Sequence, residues 1–262
     1  MKKILLWLVA FLITTGTAFF QRMTGPTYPL TGKTEVGPCQ IEYLLPRSHE
    51  TTHDFVLELE PCHPEISGYI LYKRFKTDDP WTKIPLILEG NLLSGKLPLQ
   101  LPAGKLAYQV ILTFQDKEFL LSGEDPVIIR FKGKVPGLIL LAHIITIFLG
   151  MLFSTRAGLE ALRSKGNPRK LALWTLGLLF AGGMFLGPIV QYYAFGAFWT
   201  GFPFGYDLTD NKTLIVFIVW LAAVVAGRKG RPARKWVLGA SVLTLIVFLI
   251  PHSLLGSELK YD

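Results

Sequence analysis

Two of this chain's five histidines, His143 and His252, stand in apolar surroundings where an imidazole has few ordinary partners. At 1.5 Å per residue, His143 lies ~9 Å from the start of an apolar run opening at Gly137, and His252 lies ~5 Å from the end of a run closing at Leu255. If those runs cross a membrane in opposite directions, both rings occupy the same half of it at similar depth. Two imidazoles at one depth on separate helices can hold a b-type haem through their neutral nitrogens. A quinone site would use similar parts, one histidine and a ring-lined pocket. The structural alternative is a ring bonded to neighbouring backbone, or to Thr146 or Ser154, with His252 at the interface after Pro251. On balance no cofactor is expected, and haem b or quinone at His143 and His252 is the alternative.

The only cysteines, Cys39 and Cys62, lie in the first half, at the start of one predicted strand and the end of the next. Antiparallel pairing of those strands would set them side by side, and an oxidising compartment would then join them. A loop of this length makes such a disulfide worth ~3 kcal/mol. The competing reading is a metal held by Cys39, Cys62 and His63, with His49 or His53. It has no C-x-x-C or close histidine pair behind it, so no metal is expected. G-x-S-x-G, a phosphate-cradling glycine loop and H-E-x-x-H are all missing. No spacing marks a catalytic triad, and the expectation is a protein that is not an enzyme.

A third feature is the stretch from Tyr192 to Tyr206, in which eight of fifteen residues are aromatic. Tyr192, Tyr193, Phe198, Trp199, Phe202, Phe204 and Tyr206 are the candidate partner or ligand surface. Glycines between the rings let the chain turn, and Pro203 stiffens it. Rings of this kind belong to a headgroup-level belt or cover a partner, since a contiguous apolar patch usually marks a contact. In the following "DLTDNKT", Thr209 or Asp210 is the expected N-cap of the next helix. The D-x-x-D spacing fails the calcium-loop pattern.

The elements that must position these residues follow from hydropathy. Half of the 262 residues are hydrophobic, too many for an ordinary soluble domain. Four helices are predicted in the second half, at about 137–155, 171–190, 212–226 and 236–255, near the ~20 residues that cross a bilayer. Another apolar run, Ile4–Phe20, follows Met1-Lys2-Lys3 and precedes small residues at Gly16 and Ala18. Residues 1–18 read as a signal sequence, or as an uncleaved anchor.

Orientation comes from charge. Arg156, Arg163, Lys165, Arg169 and Lys170 flank the first connection against Glu160 alone, and Arg228, Lys229, Arg231, Arg234 and Lys235 flank the third with no acid. Lys212 stands with Asp207 and Asp210 in the second. This places the basic connections in the cytoplasm, with the aromatic loop, the exported segment and the C-terminus outside. The net charge of +8 has the same origin, because residues 24–134 carry twelve bases and fourteen acids. It reports contact with anionic lipid, not with nucleic acid.

Residues 24–134 read as about seven short strands: 39–45, 54–60, 68–76, 82–88, 95–101, 106–114 and 119–131. Period-two alternation shows in "FVLELE" and "YILYKRF", and "KTDDP", "LPAG" and "SGEDP" mark turns. The run "LPLQLPAGKLAYQVIL" resembles the corner of a fibronectin type III or immunoglobulin-like domain, and "GYILYKRF" before Trp81 is similar to its central strand. The resemblance covers residues 36–132 and concerns architecture. It implies that Tyr108 sets its ring in the core and its hydroxyl on nearby backbone.

The fold expected is therefore an all-β sandwich, immunoglobulin- or fibronectin-like, followed by an all-α four-helix transmembrane bundle at residues 135–262. The function expected is an accessory or scaffold subunit of a bacterial envelope complex, in the inner (cytoplasmic) membrane. Its periplasmic domain would bind partners, principally other membrane proteins. The alternative is an electron-transfer subunit binding haem b or quinone near the outer face.

Overall fold

The structure is a computed structural model that describes residues 2–228, 233–252, 254, 256, 258 and 259. Met1, Lys229, Arg231 and Leu255, used above to read the leader, the charge bias and the last span, lie outside the described residues, as do residues 260–262 at the C-terminus. The chain forms two compact units. One is helical and holds the chain up to Pro26 and from Val135 through the last helix. The other is built of strands from Thr27 to Lys134, joined by Glu258 and Leu259.

The expected fold is corrected in both halves. The chain is mixed α and β, with a helix first, then strands in small sheets, then helices again. A sandwich of seven strands leading into four helices does not describe it. Among the described residues eleven short strands replace seven, in part because a turn or a change of sheet interrupts runs whose alternation looked continuous. Residues 119–131 divide into β10 (Lys117–Leu120) and β11 (Val127–Lys132), and residues 82–88 divide into β6 (Thr82–Pro85) and β7 (Ile87–Glu89). Two strands went unread, β1 (Leu30–Val36) and β3 (Ser48–Glu50).

In the β unit, β1 and β2 (Cys39–Leu45) form a hairpin of their own. A six-stranded sheet runs β3-β11-β9-β5-β6, with β5 at Ser67–Arg74 and β9 at Lys105–Phe114, and β10 pairs with the far end of β9. Within it β3 and β11 are parallel. The third sheet is β4-β8-β7, with β4 at Phe55–Leu59 and β8 at Leu92–Leu97. Inward residues of all three, among them Ile41, Leu57, Ile70, Leu93, Leu106 and Phe131, share one apolar core. Tyr108 is fully buried in it, and its hydroxyl donates to the Pro46 carbonyl at 2.9 Å.

Cys39 and Cys62 form a disulfide with Cα atoms 5.8 Å apart. They are not neighbours on paired strands, as the alternation suggested: β2 pairs with β1 and β4 pairs with β8, so the bridge ties the hairpin to the segment after β4. Both sulfurs are thereby withdrawn from metal ligation. Among the described residues, no group of three or more His, Cys, Asp or Glu is placed to hold a metal ion.

The helical unit contains α1 (Lys2–Met23), α2 (Gly137–Leu162), α3 (Arg169–Leu179), a π-helical segment (Phe180–Leu186), α4 (Gly187–Phe195), α5 (Leu208–Ala226) and α6 (Arg234–Leu249). Among the described residues, four helices are long and apolar enough to cross a membrane: Lys3–Met23, Gly137–Leu162, the continuous Arg169–Phe195, and Leu208–Ala226. The protein is a membrane protein by this measure. α6 has 16 residues and ends at Leu249, short of the expected boundary, because Ile250 turns extended ahead of Pro251, whose ring disfavours helix before it.

α1 is not separate from this unit. Trp7 packs edge-on against Phe153, Phe11 against Phe148, and the buried Thr14 hydroxyl donates to Thr155 at 3.3 Å. Arg156, counted above with a connection, lies inside α2 and is buried. Its Nη2 meets Glu160 at 2.8 Å, and its guanidinium stands 5.5 Å from the centre of the Trp7 ring. α2 and α6 approach closely where Gly158 faces Ser241, and the Trp220 indole N–H of α5 donates to Thr244 of α6 at 2.8 Å.

Candidate functional site

One end of the helical unit, opposite the basic connections, gathers most of the sequence-selected residues. α4 ends at Phe195 on Gly196, whose φ of +81° is left-handed and whose N–H returns to the Tyr192 carbonyl. That geometry favours glycine. The aromatic loop then runs from residue 197 to Asp207, where α5 begins. Asp207, not Thr209 or Asp210, is the N-cap: its carboxyl accepts from the Thr209 N–H at 2.8 Å and from the Asp210 N–H at 3.4 Å.

Asp210 has a different task. It is buried, and its Oδ2 accepts from the Thr200 N–H at 2.6 Å, the Gly201 N–H at 3.0 Å and the Gln191 amide at 3.0 Å, with the Thr200 hydroxyl at 3.3 Å. Beside it, Asn211 Oδ1 accepts from the Phe202 N–H at 2.7 Å. Three successive loop amides are thus held by two successive side chains of the first turn of α5. The Trp199 indole N–H adds a bond to the Phe202 carbonyl at 3.0 Å.

The clamp fixes the backbone and turns the rings outward. Phe202, Phe204 and Tyr206 are 67%, 82% and 93% exposed, which makes them a surface and not a core. Phe198 stacks on Tyr192 with centroids 4.3 Å apart, and Tyr192 meets Tyr193 edge-on. Trp199 is half-buried and acts as a brace. The seven selected aromatics therefore divide into an exposed tip, a stacked base and a brace.

The histidines lie at the same end. His143 Nδ1 is 2.9 Å from the Gly182 carbonyl in the π segment. A carbonyl only accepts, so the proton sits on Nδ1 and a neutral ring leaves Nε2 as an open acceptor. The same carbonyl receives the Gly187 N–H, the bond that closes the π turn. π turns inside helices recur at functional sites. Glycine is required here for contact: a Cβ on Gly183 would lie 2.6 Å from Thr213 of α5, and one on Gly182 would lie 3.1 Å from Ile147 of α2. Thr146 and Ser154, the partners suggested by sequence, do not engage the His143 ring; the Thr146 hydroxyl donates to the Ala142 and His143 backbone carbonyls of its own helix.

His252 follows α6 and keeps an exposed face. His143, Lys212 and Asp207 lie near enough to act on it electrostatically, so both histidines belong to this end of the helical unit. The chain carrying His252 is held by Lys212, whose buried ammonium donates to the Ile250 carbonyl at 2.8 Å and to the Pro251 carbonyl at 3.3 Å. Chemically this is an imidazole whose acceptor nitrogen is free among the described residues, a second imidazole at the same end and a buried cation.

Gln191, Asp210, Asn211 and Lys212 escaped the sequence reading as site residues. The available signal was four polar residues at the ends of apolar spans: Gln191 closes one, "DNK" belongs to the first turns of α5, and a charged side chain there must find partners in the protein. No protein-family model, curated protein or solved structure matches this chain.

Proposed function

We propose that this protein is a membrane-embedded, non-catalytic accessory or scaffold subunit whose aromatic loop docks on another membrane protein. The observation that carries the proposal is the clamp. A loop that only floated its rings among headgroups would have no use for a buried aspartate and an asparagine binding three consecutive amides. Rigid presentation lowers the entropy lost on binding a partner, and exposed aromatic rings are the usual anchors of such contacts.

The charge distribution supports an orientation with the basic connections in the cytoplasm of a bacterial inner membrane and the aromatic loop and β unit on the periplasmic side. In this reading the β unit is a second partner surface, and α1 is a retained anchor, supported by its packing through Trp7 and Thr14.

A photo-crosslinking residue at Phe204 tests the proposal in intact membranes. One discrete crosslinked membrane protein, lost when the clamp is broken by Asp210→Ala, is the expected result; crosslinks to lipid alone overturn it.

A second reading has one observation in its favour, the open Nε2 of His143 at the end of the helical unit that also carries His252. It makes the protein an electron-transfer subunit with haem b or quinone at this end. A reduced-minus-oxidised absorption spectrum separates the two: a b-type α-band lost on His143→Ala supports haem, and a featureless spectrum supports the scaffold.

A further inference from the structure

We propose that the basic end of the helical unit binds the phosphate-bearing headgroup of an anionic phospholipid. A cavity of about 510 Å³ lies there between α3, α5 and α6. Its walls are apolar, from Ala172, Val224 and Val237, and its rim carries Arg169, Arg228 and Arg234. Three guanidiniums around one cavity suit an oxyanion with several acceptor oxygens, because each planar fork can bind phosphate through two N–H groups.

No acid balances them among the described residues. Residues 156–170 and 227–235 contain a single acid, Glu160, and it is already engaged by Arg156 and Arg163 at 2.8 and 2.9 Å. Arg234 is held in place, since it donates to the Ala161 carbonyl at 2.8 and 3.0 Å and to the Ser164 carbonyl at 3.0 Å. Those partners are neutral carbonyls, so its charge remains uncompensated. Arg169 and Arg228 are exposed. The first turn of α3 opens beside the cavity without an acidic residue, its Arg169 N–H meeting only the neutral Asn167 amide oxygen at 3.2 Å, so its positive dipole end adds to the same field.

The membrane is the source of the phosphate for two reasons. The walls are hydrocarbon, which suits the glycerol and first methylenes of a lipid better than a free anion. Trp174 and Trp236, in the first two turns of α3 and α6, are 63% and 58% exposed, and exposed tryptophans near a span's end mark headgroup depth. Basic pockets between helices at such a level are suited to anionic headgroups.

The test is native mass spectrometry of the full chain in neutral detergent, titrated with dioleoyl-phosphatidylglycerol or dioleoyl-phosphatidylcholine. The wild type should retain the anionic lipid preferentially. The double variant Arg169→Gln/Arg228→Gln should weaken that binding ~30-fold, from about fivefold per arginine. The pair Lys165→Gln/Lys170→Gln, which removes the same charge from outside the cavity, should change it less than about threefold. Equal retention of the two lipids, or equal loss in both double variants, overturns the site. Displacement of the lipid by inorganic phosphate alone overturns the assignment of a lipid as its source. Thermal unfolding of both variants near the wild-type temperature shows that the fold is intact.

Discussion

Replacing Asp210 by alanine removes one acceptor on which four donors converge, three of them within 3.0 Å. The Thr200 and Gly201 amides and the Gln191 side chain lie 2.6, 3.0 and 3.0 Å from Oδ2. At ~1 kcal/mol for each net hydrogen bond, the loop loses about 3 kcal/mol of local stability. Local opening governs amide exchange, and ~1.4 kcal/mol is a factor of ten, so exchange at Thr200 and Gly201 should quicken by ~100-fold. Hydrogen–deuterium exchange of the detergent-solubilised chain reads this at peptide resolution. Amides of α6 report global stability and should change by less than about twofold, because the loss is confined to the loop. Asp210→Asn keeps a carbonyl acceptor and should fall between alanine and wild type. The reasoning is refuted if Asp210→Ala leaves Thr200 and Gly201 protected, or if α6 loosens as much as they do. In the first case the rings are held by something other than the clamp; in the second Asp210 supports the whole unit.

Gly183→Ala should lower the unfolding temperature in detergent, reflecting a loss of ~1–3 kcal/mol, because its Cβ would press on Thr213 Cγ2 at 2.6 Å. Gly177→Ala, whose Cβ meets nothing within 4 Å, is the control, and equal losses would sink the packing argument. The return of the chain to the β unit should depend on pH. Partial burial pushes the Glu258 carboxyl up, but hydrogen bonds from Lys105 and Lys76 more than reverse this, so it titrates below the ordinary glutamate range. Its contribution is complete above that range and is lost as pH falls through the lowered value. Exchange of the Leu259 amide, which donates to the Ala103 carbonyl at 3.2 Å, should therefore rise in acid after correction for intrinsic rates. Glu258→Gln should remove that dependence, and a pH profile unchanged by the substitution would refute it.

Chain composition alone was enough to mark a membrane protein, to find most of its apolar helices and to show which connections carry the positive charge, though not where the last helix ends. Hydropathy and charge are sums over neighbouring residues, so they survive without knowledge of the fold. The strands were legible one at a time, as in "FVLELE" and "YILYKRF". Their number and partners were not, because alternation says which face is buried and nothing about the strand alongside. That is why the Cys39–Cys62 bridge links elements that are not paired in a sheet. The rings of the aromatic loop were visible as composition. What holds them was not: Asp210 and a helix cap look alike in sequence, since both are acids near a helix start, and only the path of the loop decided that Asp207 caps α5 while Asp210 turns back to bind Thr200 and Gly201. The same holds for His143 and Lys212, whose partners, Gly182 and Ile250, lie 39 and 38 residues away in sequence. Local chemistry fixes what a residue is able to bond; which group arrives within bonding distance depends on helix packing, a property of the whole chain.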